Sequence, residues 1–143
     1  MKRTLKLSLA LTAGAALIAT ASSASGPTAT AVLDPAVPHN YDGLCPGTIN
    51  FTGRIIMPYG LGLVKFQWIR SDGSTGPVKT AGILPGLGSA PISDTWTLGG
   101  FPSLPHYAGW EAVRVLSPGS STSNKATFTL TCLKERTPNP TKQ

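Results

Sequence analysis

Residues 125–132 read KATFTLTC, and in this stretch apolar and hydroxyl-bearing side chains alternate one by one. Successive side chains of a β-strand point to opposite faces of the sheet, so this alternation predicts a strand with one buried face. The three threonines would then face solvent. The side chains that would face the core are Ala126, Phe128, Leu130 and Cys132.

Five further stretches alternate in the same way or are rich in β-branched and aromatic residues, which is typical of strands. They span residues 48–56, 63–70, 77–83, 91–98 and 110–117. Turn-forming residues separate several of them, namely SDGSTG at 71–76, GG at 99–100 and SPGS at 117–120. No helical period is sustained after residue 24, so the sequence predicts an all-β fold.

Short strands separated by such turns predict an Ig-like antiparallel two-sheet sandwich of six or seven strands. The seventh strand would lie at residues 28–33 or at residues 101–107. The residues expected to form the core are Phe51, Phe66, Trp68, Trp96, Trp110 and Phe128.

Cys45 and Cys132 are the only cysteines in the sequence. Two cysteines in an exported protein most often form one disulfide, which here would tie the first predicted strand to the last. The alternative is a metal or redox site. That alternative is disfavoured because the chain has no CxxC motif and contains only 2 histidines.

The first 24 residues predict an export signal. An uncharged run rich in Ala and Leu occupies residues 7–19, and small residues follow it. This pattern is typical of a secretory signal peptide cleaved near residues 21–24, whereas a membrane span needs about 20 apolar residues. The basic residues ahead of the run are Lys2, Arg3 and Lys6.

The remaining chain divides into three parts in this interpretation. Residues 25–44 are expected to be a flexible leader, because they are rich in Pro and Ala. Residues 45–132 would form the Ig-like sandwich, and residues 133–143 would be a disordered polar tail.

The net charge of the whole chain is +6, but half of it belongs to the predicted signal. Without the signal, nine basic groups face six acidic groups. This modest balance argues against a nucleic-acid partner. We expect a monomer in a secreted or periplasmic location, with no membrane span after signal removal and with a protein or cell-surface glycan as its partner.

Five stretches carry a resemblance to an uncharacterised family of small exported bacterial proteins with a single immunoglobulin-like domain. They are CPGTINFTGRI, FQWIRSDGSTGPV, DTWTLGG, GWEAVRVLSP and SNKATFTLTC, within residues 45–132. The resemblance implies the same fold, a disulfide between the first and last strands, and export, and it implies no catalytic residues. In antibody domains the two cysteines lie on inner strands, whereas here they lie on the outermost predicted strands. Leu130, two residues before the second cysteine, occupies the position at which antibody domains have a conserved Tyr.

Groups suited to catalysis are sparse, so we expect neither an enzyme nor a cofactor or metal site. One alternative is a small secreted hydrolase that uses His106 and Asp94 with a serine, but no GxSxG or HExxH motif supports it. Asp72 and Asp94 together fall short of the roughly six to eight oxygen ligands that calcium takes. Asp72 is better interpreted as the start of a turn.

Two loops, MPYGL at 57–61 and LPGL at 84–87, carry more apolar side chains than turns usually need. If six strands simply alternate in direction, both loops lie at one end of the sandwich. An exposed apolar cluster there would mark a binding surface, and the alternative is that it covers the open end of the core. The candidate binding residues are Met57, Tyr59, Leu61, Leu84 and Leu87.

The sequence therefore favours a non-catalytic exported Ig-like protein that acts in extracytoplasmic binding or adhesion through its loop tips. The alternatives are the small secreted hydrolase and a binder of anionic cell-wall polymer. The cations available to that second alternative are Arg54, Lys65, Arg70, Lys79, Arg114, Lys125 and those of the tail.

Overall fold

The computed structural model describes residues 26–134, and all the regular elements among them are β-strands. The all-β class is therefore confirmed. The expected signal peptide and most of the expected tail lie outside the described residues. The strands are β1 (Thr30–Leu33), β2 (Asn40–Gly43), β3 (Gly47–Ile56), β4 (Gly62–Arg70), β5 (Lys79–Ile83), β6 (Ser89–Leu98), β7 (His106–Ser117), β8 (Ser121–Thr122) and β9 (Ala126–Cys132).

The strands form two sheets. The small sheet has the order β1-β3-β6, and the large sheet has the order β2-β9-β7-β4-β5, with the short β8 paired to β7. Neighbouring strands are antiparallel except for β2, which runs parallel to β9. The large sheet curls around the core. Within residues 26–134 no helix has the length and apolar character needed to cross a membrane.

Aromatic side chains join the two sheets. The ring of Phe51 on β3 lies 6.5 Å from that of Trp68 and 5.8 Å from that of Phe128, centroid to centroid. Trp96 on β6 lies 5.6 Å from Phe128 and 5.6 Å from Tyr107. Because β3 and β6 belong to the small sheet and the other strands to the large one, the core lies between the sheets, as expected.

Trp110 is the exception to the expected core. The fully buried Val113 and Val115 fix the inward phase of β7, so Glu111 faces the core and Trp110 faces away from it. The Nζ of Lys125 lies 4.2 Å from the centre of the Trp110 ring on that outer side. The expectation was wrong because β7 is apolar on both faces, so its alternation does not show which face is inward.

The disulfide between Cys45 and Cys132 is confirmed, with their Cα atoms 5.4 Å apart. Cys132 ends β9, but Cys45 lies in the turn between β2 and β3. The bond therefore joins the last strand of the large sheet to the chain just before β3, and not to the first strand. Two strands precede Cys45 in the chain.

Those two strands also correct the interpretation of residues 25–44 as a flexible leader. β1 pairs with the end of β3, and β2 pairs with β9 along its whole length. Ala31 and Leu33 of β1 are buried in the core. A strand of 4 residues is too short to show a clear alternation. Each of these strands is held in place by pairing with a strand that is distant in sequence. β1 lies within residues 28–33, one of the two places expected for a further strand.

The alternating strand directions gather three connections at one end, which we call the loop end. These are residues 57–61, 84–88 and 117–120. The backbone N–H of Met57 donates to the carbonyl of Gly88 at 2.9 Å, and that of Ala29 donates to Pro118 at 3.1 Å. Since Thr30 pairs with Ile56, all three connections lie together, and the disulfide lies at the opposite end.

Replacing Cys45 and Cys132 together with alanine is expected to lower the free energy of unfolding by about 2–5 kcal/mol. The reason is that the bond closes a loop with a sequence separation of 87, which restricts the unfolded chain. Urea denaturation of the variant and of the oxidised protein measures the difference. The wild-type protein unfolded with a reductant serves as the control, and equal stability with and without the bond would contradict the expectation.

Candidate functional site

Two adjacent loops at the loop end enclose a concave space of about 380 Å³. Tyr59 and Leu61 line it from the loop between β3 and β4, and Leu87 lines it from the loop between β5 and β6. Leu84 begins the second loop, and its carbonyl accepts a hydrogen bond from the Leu87 N–H at 3.2 Å. The side chains of all four residues are exposed. The structure thus brings together four of the five candidate binding residues with their side chains accessible.

Met57 is the fifth candidate residue, and only 2% of it is exposed. It continues the inward phase of β3, in which Phe51 and Ile55 are fully buried. A Cβ atom at Gly60 would lie 2.5 Å from the Cγ of Met57, so the loop turns tightly over this side chain. Met57 therefore covers the end of the core and supports the loop. Extending the alternation of β3 by one step would have found this role.

Tyr59 has an unusual backbone conformation. Its φ of 59° lies in the left-handed region, and it is the one non-glycine residue with positive φ among the described residues. This conformation costs a residue with a Cβ roughly 1–2 kcal/mol. Strained conformations of this kind concentrate at ligand-binding positions, and here the strain accompanies a fully exposed aromatic ring.

A cluster of charged side chains lies between the sheets, and the sequence pattern did not reveal it. Arg70 Nε donates to Glu111 Oε1 at 2.5 Å, and Arg70 Nη2 donates to Asp94 Oδ2 at 3.3 Å. Lys79 Nζ donates to Asp94 Oδ1 at 3.3 Å. The Arg70 guanidinium also lies 4.9 Å from the centre of the Trp96 ring. Arg70 and Glu111 belong to the large sheet and Asp94 to the small sheet, so Arg70 bridges the two.

The carboxyl group of Glu111 has no exposed surface. Burial raises its pKa to about 7, although the hydrogen bond and charge of Arg70 act in the opposite direction. Its Oε1 accepts the bond from Arg70, whereas its Oε2 is buried without a hydrogen-bond partner among the described residues. Glu111 is therefore a titratable group inside the core whose protonation changes near neutral pH.

The two residues of the hydrolase alternative lie in different settings. Asp94 is paired with Arg70 and Lys79 in the interior cluster. His106 begins β7, and its side chain is exposed. No hydrogen bond joins His106 to Asp94 in the part of the chain that the structure describes.

Asp72 lies in the turn after β4, as expected for a turn-forming residue. Its Oδ1 accepts hydrogen bonds from the backbone N–H of Ser74 at 2.8 Å and from the Ser74 hydroxyl at 2.6 Å. These two bonds lower the pKa of Asp72, because they stabilise the ionised carboxylate. The turn itself, and not a ligand, accounts for the contacts of this carboxylate.

No family model matches this chain, and no curated protein is significantly similar to it.

Substitutions at the loop end test which side chains belong to the core. Met57→Ser is expected to lower the free energy of unfolding by about 2–4 kcal/mol, because it removes a buried apolar side chain and places a hydroxyl in its position. Leu87→Ser, on the neighbouring loop, is expected to change it by only about 0.5 kcal/mol. Urea denaturation of both variants measures the contrast, and equal losses would contradict the assignment.

Glu111→Gln tests the titration inside the core. The folded protein holds the Glu111 proton with a pKa of about 7, above the usual 4.5, so this group adds stability at low pH that is lost as the pH rises through 7. We expect the unfolding free energy of the wild type, compared with that of Glu111→Gln, to fall by on the order of 2 kcal/mol between about pH 5 and about pH 8.

Urea denaturation over this pH range measures the unfolding free energy of both proteins. Exposed Asp42→Asn is a matched control that should keep the wild-type pH dependence. Parallel pH profiles for the wild type and Glu111→Gln would contradict the expected role of Glu111.

Proposed function

We propose that this chain is an exported, non-catalytic binding protein with an immunoglobulin-like architecture, located outside the cytoplasm. The chain leaves the small sheet after β3, forms the β4–β5 hairpin in the large sheet and returns as β6 beside β3. Such crossing between facing sheets is typical of Ig-like sandwiches. The disulfide supports an oxidising compartment, where such bonds persist.

The observation that carries the proposed binding role is the exposed apolar cluster at the loop end. Tyr59, Leu61, Leu84 and Leu87 project from two loops that a backbone hydrogen bond from Met57 to Gly88 holds together. Loops on a rigid β-framework commonly carry binding residues, and contiguous exposed apolar surface commonly marks a contact with another protein. The partner is a protein that presents an apolar surface, since the residues that line the space between the two loops carry no charge.

The double variant Tyr59→Ser and Leu84→Ser tests this proposal. We expect it to unfold at nearly the same urea concentration as the wild type, because both side chains are exposed. Capture of the partner from a cell-surface extract by the immobilised protein should fall about tenfold, the effect of losing a central contact residue. Quantitative comparison of labelled captured protein gives the measurement.

Val78→Ser is a matched control, because Val78 is also an exposed apolar residue but lies between β4 and β5 at the opposite end. It should retain full capture. Equal capture by the double variant and the control would remove the binding role of the loop end. A large loss of stability in the double variant would instead place Tyr59 and Leu84 in the core.

A further inference from the structure

A second surface with binding chemistry lies on the outer face of the large sheet, far along the sheet from the loop end. A cleft of about 330 Å³ opens there between β7 and β9, and we call it the Trp110 cleft. Ala108 of β7, whose side chain is small, lines the cleft. The residues around it include His39, Ala108, Gly109, Trp110, Thr127 and Thr129.

The Trp110 cleft combines a flat apolar surface with hydrogen-bonding groups. The indole ring of Trp110 is partly exposed beside the hydroxyl groups of Thr127 and Thr129. The Nδ1 of His39 lies 2.9 Å from the Thr127 carbonyl and must donate to it, which leaves Nε2 as an acceptor in the neutral ring. A sugar ring has a face of C–H groups and an edge of hydroxyl groups, so it matches an aromatic plane bordered by such donors and acceptors.

Positive charge extends from the cleft along the same outer face. Lys125 Nζ lies over the Trp110 ring, and Arg114 follows Trp110 two outward positions further along β7. Gln67 on β4 is the register partner of Arg114, and Lys65 is the next outward residue on that strand. The distance from Trp110 to Arg114 along the strand is about 13 Å, which several sugar units rather than one would span.

Lys65, Arg114 and Lys125 form no salt bridge within residues 26–134. The salt bridges among the described residues involve Arg70 and Lys79.

Two carboxylates lie near these cations. Asp42 is on β2, opposite Thr131 and on the same outer face. Asp34 lines an adjoining groove together with His39 and Lys125, and its Oδ2 accepts a hydrogen bond from Thr52 at 2.8 Å. The three cations outnumber these two carboxylates, so the charge of the outer face favours a negatively charged ligand.

We propose that the outer face of the large sheet binds an acidic polysaccharide whose sugars carry carboxylate groups. One sugar ring takes the place of the Lys125 ammonium over the Trp110 ring, and Lys125 turns to a carboxylate of the bound chain. Carboxylates of the following sugars approach Arg114 and Lys65. This site is separate from the loop end, so the protein has a glycan-binding face besides its protein-binding loops.

Titration of the full chain with an oligogalacturonate, followed by calorimetry and tryptophan fluorescence, tests the proposal. Trp110→Ala is expected to weaken binding about tenfold, and Trp110→Tyr, which keeps an aromatic ring, should restore much of it. Lys125→Gln and Arg114→Gln should each reduce the slope of log affinity against log salt concentration by about one. Arg54→Gln, on the small sheet, is the matched control and should leave the affinity unchanged.

Three further ligands test whether the outer face recognises an acidic sugar or any polyanion. A fully methyl-esterified oligogalacturonide, which keeps the rings but loses the charge, should bind much more weakly. Inorganic polyphosphate and single-stranded DNA should bind more weakly than the acidic sugar and should be insensitive to Trp110→Ala. Absence of binding to oligogalacturonate, or equal binding of all polyanions, would overturn the proposal. The loop-end variant Tyr59→Ser and Leu84→Ser should bind the sugar normally, so failure of one proposed site is distinguishable from failure of the other.

Discussion

The ion pair between Arg70 and the buried Glu111 constrains how the two proposed binding surfaces are arranged. Glu111 is the register partner of Arg70 on the neighbouring strand, and its side chain has no exposed surface. A buried carboxylate needs a charged partner, and Arg70 supplies one while also reaching Asp94 on the opposite sheet. Such a pair adds little net stability, because desolvation offsets its attraction, but losing one partner would leave an uncompensated charge in the core. The pair therefore acts together with the buried Val113 and Val115 to hold β7 in one orientation.

The orientation of β7 has consequences on both of its faces. With Glu111 inward, Trp110 and Arg114 must face outward, because neighbouring side chains of a strand alternate. Asp94 is committed to Arg70 and Lys79 in the interior. The same cluster engages Arg70 and Lys79 in salt bridges. Among the described residues, Lys125 and Arg114 on the outer face form no salt bridge.

The sequence was most informative where one face of a strand is apolar and the other is polar. β9 shows this clearly, and its four inward side chains are all buried. β7 is apolar on both faces at residues 110–117, so the sequence could not tell whether Trp110 or Glu111 faces the core. β1 was expected only as one of two alternatives and β2 was missed, because both are short and are held in place by β3 and β9, which lie far away in sequence. The charged cluster of Arg70, Lys79, Asp94 and Glu111 was missed for the same reason, since it joins residues of four strands and both sheets.

The loop end and the outer face of the large sheet are adjacent through β4. Leu61 of the loop is followed by Leu63 and Lys65, both exposed, which alternate outward along the start of this strand. Trp110 lies beyond the other end of β4, where its backbone bonds to Ser71. A protein bound at the loop end would therefore approach Lys65 and leave Trp110 free. An acidic polysaccharide on the outer face would be anchored at Trp110. It would therefore compete with a protein at the loop end only near Lys65. This arrangement permits one copy of the chain to bind both ligands.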